Sequence, residues 1–356
     1  MDKVILAAIP MFFGLMAIEM LLSWKLKKGF YELKDSVTNL GSGILNQMNS
    51  LLAKPFALFV YIGVYNAWNL DSALNLNYFT TDASTPNGVV TWIVGFLLTD
   101  FLFYWSHRHS HEINLMWATH IAHHSSEEYN LSVALRQPAF GFLVTTHYVI
   151  PSALLGIPPE VYFVSISINL VYQFWIHTRF VKSLGPVLEW ILSTPSHHRV
   201  HHARQEKYLD KNYAGIFIIW DRMFGTFKKE EEEPIYGVYP RCTKFNAVSI
   251  NVDPWNELFM YFGKAQGLSN KLKVLFKGPL YIYENFKKGH IPKGMRPPKE
   301  KKAAWYVLPT FFISLGFALF ALFKAPVMQI YLTGIVFLIV WVMTYIIGYV
   351  QDNKSV

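Results

Sequence analysis

The stretch SHRHSHEINLMWATHIAHH, residues 106–124, governs how the rest of the chain is read. It opens where an apolar run, about residues 89–105, ends. It is answered later by HTRF at 177–180 and by SHHRVHH at 196–202. Neutral imidazole is the commonest nitrogen ligand for iron, zinc and copper. The spacing matters more than the number. His107 and His111 are four apart; His120, His123 and His124 repeat the three-and-four interval, and so do His198, His201 and His202. On a helix these intervals stack side chains on one face, one turn above the next. Three helical stripes of this kind can converge on a shared centre.

A lone helical histidine is more often a surface or core residue than a ligand. Three stripes beside apolar segments are different, because polar clusters at membrane depth are functional by default. Individual members still separate. His109 lies two residues after His107 and points to the opposite face. His197 could pair with His201 at i+4, but His198 matches the register of the 120–124 triad. His290 sits in a basic loop and reads as surface. His147, inside an apolar segment, reads as a hydrogen-bonded core residue before a channel lining.

The chain has 356 residues, 52% hydrophobic and 17% aromatic, with only 16% charged. That is too apolar for an average soluble protein and indicates an integral, multi-pass membrane protein. The single cysteine, Cys242, excludes an internal disulfide and a thiolate-based zinc or iron–sulfur site. Any metal must rely on nitrogen and oxygen ligands. The formal net charge of +8 comes from lysines collected beside apolar runs, which suits anionic lipid headgroups rather than nucleic acid.

Apolar spans are expected at Ile5–Leu22, about Leu51–Trp68 with Pro55 inside, and about Val89–Trp105. The first reads as a retained anchor rather than a cleaved signal, because no small-x-small cleavage site follows it. A tight apolar pair, Phe140–Ile157 and Pro159–Val181, leaves and re-enters on one side, crossing fully or dipping in and out. A final hairpin joins Trp305–Phe323 to Val327–Val350 through Lys324-Ala325-Pro326. The loop with Lys25, Lys27, Lys28 and Lys34 should be cytoplasmic, and the lysine-free loop at 69–88 outside. All three histidine boxes then fall on the cytoplasmic face. The expected fold is all-α: a polytopic membrane helical bundle with a cytoplasmic histidine-rich metal-binding cap. Its parts are an N-terminal transmembrane region (1–88), a catalytic domain (89–240), a cytoplasmic or interfacial segment (241–303) and a C-terminal transmembrane hairpin (304–356). Residues 182–303 read as a cytoplasmic stretch, its KKEEEE run at 228–233 a solvated loop without a site and its lysines near 271–302 resting on the membrane.

Nitrogen-rich ligation in a helical membrane protein suggests redox iron, with zinc as the main competitor. Eight or nine histidines exceed the need of one ion and suit two. Groups that could orient the imidazoles are near in sequence: Asp100 and Tyr104 on the face of His107, Glu127 and Glu128 about one turn after His124, and His197. Asn169, Gln173 and His177 form an i+4 polar stripe taken to face the metal, with His177 as a ligand. The zinc-protease pattern is absent, since His111-Glu112 is followed by Ile113, Asn114 and Leu115. No glycine-rich phosphate loop or dinucleotide fingerprint is present, so electrons must come from a separate donor. A metal transporter or metal-storage protein is the reading from another class, but transport needs ligands through the membrane depth, and these crowd one side.

The boxes His107-x3-His111, His120-x2-His123-His124 and His198-x2-His201-His202 resemble those of the fatty acid hydroxylase and sterol desaturase superfamily. The text DFLFYWSHRHSHEINLMWATHIAHHSSEEYNLSVALRQ, then YQFWIHT, TPSHHRVHH and DKNYAGIFIIWDRMFGTF, resembles its ether-lipid branch, the alkylglycerol monooxygenases, over roughly residues 90–240. The resemblance implies a non-haem di-iron centre on the box histidines that uses O2 to hydroxylate an unactivated C–H bond. In that branch it implies attack on the carbon next to an ether oxygen, release of a fatty aldehyde and a glycerol derivative, and tetrahydrobiopterin as electron donor. The rival is a fatty acid or sterol hydroxylase or desaturase with another donor. Phe101, Phe103, Trp105, Trp117 and Trp175 could line a lipid path, although interfacial anchoring or packing is the commoner role of such residues.

Overall fold

A computed structural model describes residues 3–287, 306–324 and 328–353. His290 and most of the turn at Lys324-Ala325-Pro326 lie outside the described residues, as do the basic residues 288–302. Within them the chain is almost entirely helical, with no strand beyond two isolated bridges, Leu192–Phe217 and Ala203–Tyr236.

The helices that matter for the site are α1 (Lys3–Lys25), α2 (Leu33–Ala67), α3 (Pro86–Glu112), α4 (Asn114–His124), α5 (Pro159–Trp175), α6 (Pro186–Ile191), α7 (Pro195–His201), α8 (Ile219–Met223), α9 (Ala247–Lys264), α10 (Gly267–Phe276), α11 (Val307–Lys324) and α12 (Ile330–Asn353). Four are long and apolar enough to cross a membrane: Ala7–Lys25, Pro86–Glu112, Val307–Lys324 and Tyr331–Asn353. A fifth candidate is α2 with its extension, bent by 44° between Leu33–Leu51 and Ala53–Ala73. The bend sits where Pro55 demands it, since a proline ring clashes with the carbonyl four residues earlier, at Leu51. The chain is an integral membrane protein.

One expectation is corrected. α2 begins at Leu33, so Lys34 is a helix residue rather than a loop lysine. It is buried, and its Nζ donates to the Gln351 carbonyl at 3.0 Å. Of the two forms open to the first arm of the apolar pair, a full crossing or a dip, the structure has the shorter one: Phe142–Leu155 is divided into short helical pieces ending at Gly156, whose φ is 93°. Its Gly141, paired threonines and Pro151 interrupt the ladder. The described part of the 182–303 stretch, residues 182–287, packs on α3. Phe217, Trp220 and Phe224 pack on Phe96, Phe101 and Trp105 of α3.

α3 packs on α5, and close approach is needed there. A Cβ on Gly95 would stand 2.5 Å from a Val161 methyl. Phe12 of α1 stacks on Phe174 of α5 at 4.2 Å between ring centroids. A separate apolar core, with Met48, Phe311, Ala321 and Val340, joins α2 to the C-terminal pair α11 and α12.

Candidate metal centre

α3 carries His107 and His111 out of the apolar span in its last two turns. After Ile113 the chain turns at once into α4. Asn114 fixes the corner, its N–H donating to the Lys277 carbonyl at 2.9 Å and its Nδ2 to Val274 at 2.9 Å. α4 then presents His120, His123 and His124. His177 follows α5 directly. α7 starts with Pro195 at its first position, behind Thr194, where Thr194 and His197 form a reciprocal N-terminal cap.

The nine histidines gather into two adjoining groups. His107, His111, His120, His124 and His201 form one; His123, His177, His198 and His202 form the other. Within each group one nitrogen per ring lies within 4.8 Å of all the rest. The partition follows from helix geometry. Residues four apart share a face, so 107 and 111, 120 and 124, and 198 and 202 stay together. Adjacent residues differ by about 100°, so the doublets His123-His124 and His201-His202 each divide between the groups.

Four Nδ1 atoms point at backbone carbonyls. His107 donates to Tyr213 at 2.7 Å, His123 to Arg136 at 3.0 Å, His177 to Gln173 at 2.7 Å and His201 to Lys211 at 3.0 Å. A carbonyl only accepts, so the proton is on Nδ1 and Nε2 is left as a bare lone pair. The rings meet through their Nε2 atoms. The Nε2 atoms of His107 and His120 are 3.0 Å apart, those of His120 and His124 3.1 Å, those of His123 and His177 3.4 Å, those of His177 and His198 3.0 Å and those of His198 and His202 3.2 Å. The Nε2 atoms of His111 and His201 are buried with no partner. His123 and His177 both carry their proton on Nδ1, so their Nε2 lone pairs, 3.4 Å apart, repel unless a cation lies between them. Metal–imidazole bonds of about 2.0–2.1 Å put neighbouring nitrogens about 3.0 Å apart in an octahedral shell and about 3.4 Å apart in a tetrahedral one. The observed spacings fall in that range, so both groups fit a metal ion.

The residues expected to steady the rings are placed differently. Asp100 accepts from the Ile216 and Phe217 N–H groups at 2.9 and 3.1 Å, from Trp220 Nε1 at 2.8 Å and from Asn169 Nδ2 at 2.5 Å. It thereby holds the 216–220 turn against α3, not an imidazole. Gly215 lies so close to this knot that a Cβ would stand 2.7 Å from Asn169. The Tyr104 hydroxyl meets Thr226 at 3.0 Å and Arg108 at 3.2 Å. Glu127 pairs with Arg241 at 2.6 Å and Glu128 with Arg179 at 2.7 Å. Gln173 bonds Asn169 through its side chain and reaches His177 through its carbonyl alone. His197 caps α7 and stands outside both groups, and His109 faces Tyr148.

The KKEEEE run also has a structural part. Glu230 accepts from buried Arg199 at 2.8 and 2.6 Å, and Arg199 donates further to the carbonyls of Thr178, Val181 and Lys182. It thus ties α7 to the segment after His177. Glu230→Ala is expected to lower stability by about 1–3 kcal/mol, because a buried guanidinium loses charged acceptors. Glu231→Ala, which removes a fully exposed carboxylate, should leave stability nearly unchanged. Thermal unfolding of the two variants side by side measures the difference.

Burial, reinforced by the neighbouring rings, holds His120, His123, His124, His198, His201 and His202 well below the ordinary imidazole pKa. Burial also pushes His197 down to about 4. A group whose folded pKa lies below its unfolded value of about 6.5 contributes stability that is whole above that pH. The contribution is lost as pH falls through the folded value. Burial raises Asp221 to about 6 and Glu128 to about 7, which acts in the opposite sense. The histidines are the more numerous. The metal-free chain is therefore expected to lose stability steadily from about pH 6.5 down to about pH 4, measured as Tm against pH in the presence of a chelator.

The fatty acid hydroxylase family profile matches residues 92–226, which contain every box histidine. The chain is similar to alkylglycerol monooxygenases. It is 43% identical to that of Homo sapiens over 273 residues, 76% of this chain and 58% of the relative. It is 41% identical to that of Danio rerio over 323 residues, 88% and 70%, and 41% identical to that of Xenopus tropicalis over 268 residues, 75% and 57%. The chain thus spans from 57% to 70% of the length of these relatives. No solved structure gives a significant match. On the histidine boxes and on this similarity, the chain belongs to the fatty acid hydroxylase family, in the group that contains the alkylglycerol monooxygenases.

Proposed function

We propose that this chain is an O2-dependent di-iron monooxygenase. It hydroxylates the carbon next to the ether oxygen of an alkylglycerol, giving a fatty aldehyde and a glycerol derivative. The observation that carries this reading is the pair of all-imidazole groups, five and four rings, in a chain 41% identical to an alkylglycerol monooxygenase over 88% of its length. His107, His111, His120, His124 and His201 would hold one iron, and His123, His177, His198 and His202 the other. Bound iron supplies O2 activation and one-electron chemistry that side chains cannot. Tetrahydrobiopterin is the proposed electron donor.

The chain's own residues supply position. The carbonyls of Tyr213, Arg136, Gln173 and Lys211 fix ring orientation and keep each Nε2 unprotonated. His120 is only partly buried, whereas its eight companions are buried. Approach to the five-ring group is therefore from the side of His120 and Trp117. Orientation follows from α1. Its Glu19 is hydrogen-bonded to Thr178, next to His177, so Lys25, Lys27 and Lys28 beyond it lie on the side of the site. The excess of lysine there supports a cytoplasmic centre.

The test uses the purified full chain loaded with iron. An alkylglycerol with tetrahydrobiopterin is compared with a fatty acid or sterol supplied with a ferredoxin-type donor. Aldehyde release and oxygen uptake in the first arm are expected. Turnover confined to the second arm would replace the ether-lipid reading by the hydroxylase one. A chain that binds no iron would sink both.

A further inference from the structure

α6 and α8 leave an apolar surface open. Val187 is 72% exposed, Met223 63%, Trp190 58% and Leu188 45%, with Ile191 and Phe224 beside them. These residues belong to one platform: Leu192 bridges Phe217, the Ile218 N–H donates to the Ile191 carbonyl at 3.0 Å, and the Ser193 N–H donates to Ile216 at 2.7 Å. Such an exposed apolar face on a segment rich in charge elsewhere marks a contact surface.

Its depth can be read from α3. Phe217 packs on Phe96 at 6.1 Å, Trp220 on Phe101 at 5.1 Å and Phe224 on Trp105 at 5.0 Å between centroids. From residue 96 to residue 105 the helix rises about 13–14 Å, nearly half of a hydrocarbon core of about 30 Å. The contacts also continue an existing face. Ile93, Leu97, Phe101 and Trp105 form one i+4 row. Ile93 and Leu97 are 55% and 40% exposed on a membrane-crossing helix, and the platform takes up the same row below them.

The polar groups are arranged for such a place. Arg222 donates to the carbonyls of Trp190 at 3.2 Å and Glu189 at 3.1 Å, closing acceptors at the end of α6 that lipid could not satisfy. Its guanidinium lies over Phe227 and Trp190. A cleft of about 300 Å³ beside α6 is lined by exposed Lys182 and Lys229 and by Glu189 and Glu230. Both carboxylates are already engaged, Glu230 by Arg199 and Glu189 by the Leu184 N–H and Ser196, so the free charges at its rim are the two lysines.

We propose that the face made by Val187, Leu188, Trp190, Ile191, Met223 and Phe224 is inserted in the acyl-chain layer of one leaflet, on the side where α3 carries the histidines. Lys182 and Lys229 then meet the headgroups. α6 and α8 are a monotopic element that docks the third histidine box on the bilayer. The surface does not depend on which reaction the centre performs.

The test labels the unmodified full chain in phosphatidylcholine–phosphatidylserine nanodiscs and reads the peptides by mass spectrometry. A lipid-soluble carbene reagent is expected to label 186–192 and 217–224 as strongly as 89–97, and several-fold more than 228–233. Water-borne peroxide should leave Met223 unoxidised until detergent replaces the bilayer. Labelling of these peptides from water, or protection from both reagents, would overturn the proposal. The second pattern means that protein covers the face. Spin labels at Val187→Cys and Met223→Cys, in a Cys242→Ser background, give a second reading. Oxygen should reach them as it does a label at Leu97, and a water-soluble nickel complex should not.

Discussion

His198→Ala is expected to lower bound metal from two ions per chain to one and to abolish turnover. His198 Nε2 lies 3.0 Å from that of His177 and 3.2 Å from that of His202, so it is central to the four-ring group. Three imidazoles would remain in that group, one ligand short, while the five-ring group stays whole. The loss in affinity should exceed the roughly 10–100-fold that removing an outer hydrogen-bond partner of a metal ligand costs. His109→Ala is the control. Its ring contacts Tyr148 and Trp105 and belongs to neither group, so both ions and most activity should persist. Metal content by elemental analysis, with product formation on the same samples, measures both. Two ions retained in His198→Ala would mean that these nine rings do not divide as five and four.

The histidine pattern was legible because ligand placement here is a matter of helix period. That the doublets at 123–124 and 201–202 divide between two groups was not read from the spacing, which put each triad on one face; two ions were expected from the number of histidines alone. What orients the rings was not legible. The acceptors of four Nδ1 protons are main-chain carbonyls of Tyr213, Arg136, Gln173 and Lys211, and any residue has a carbonyl. Asp100, Glu127 and Glu128 had suitable chemistry and spacing, but each is engaged by donors from distant segments, which periodicity along one helix does not reveal. The same applies to Glu230, which in sequence looks like its exposed neighbours until Arg199 is placed beneath it. Lys34 was misplaced because a long helix starting at Leu33 carries polar residues inward against α12. Whether the arm at 142–155 crosses or dips was left open because hydropathy averages over the glycine, threonines and proline that divide it.

The second large effect is expected at Asp35→Ala. Asp35 and Arg136 are buried, 4% and 2% exposed, and paired at 3.2 Å. Arg136 also donates to Asn39 Oδ1 at 2.9 Å, to the Ala122 carbonyl at 3.0 Å and to Ser125 Oγ at 2.8 and 3.0 Å. Asp35 in turn accepts from Ser126 and Asn39. The pair therefore binds α2 to the end of α4, and the Arg136 carbonyl receives the Nδ1 proton of His123. Taking away one member leaves an uncompensated charge, at a cost of about 3–5 kcal/mol. That should appear as a fall in Tm on the order of 4–7 °C, together with loss of metal from the four-ring group, where His123 loses its support. Arg136→Lys should recover little, because an ammonium cannot reproduce the planar set of donors. Replacing both members by apolar residues, Asp35→Leu with Arg136→Met, should cost less than Asp35→Ala alone, since no buried charge remains and the main-chain carbonyl still faces His123. If the double variant is as unstable as the single one, the pair's role is to fill space and not to balance charge. If Asp35→Ala melts like the parent, α2 is not coupled to the metal centre by this route.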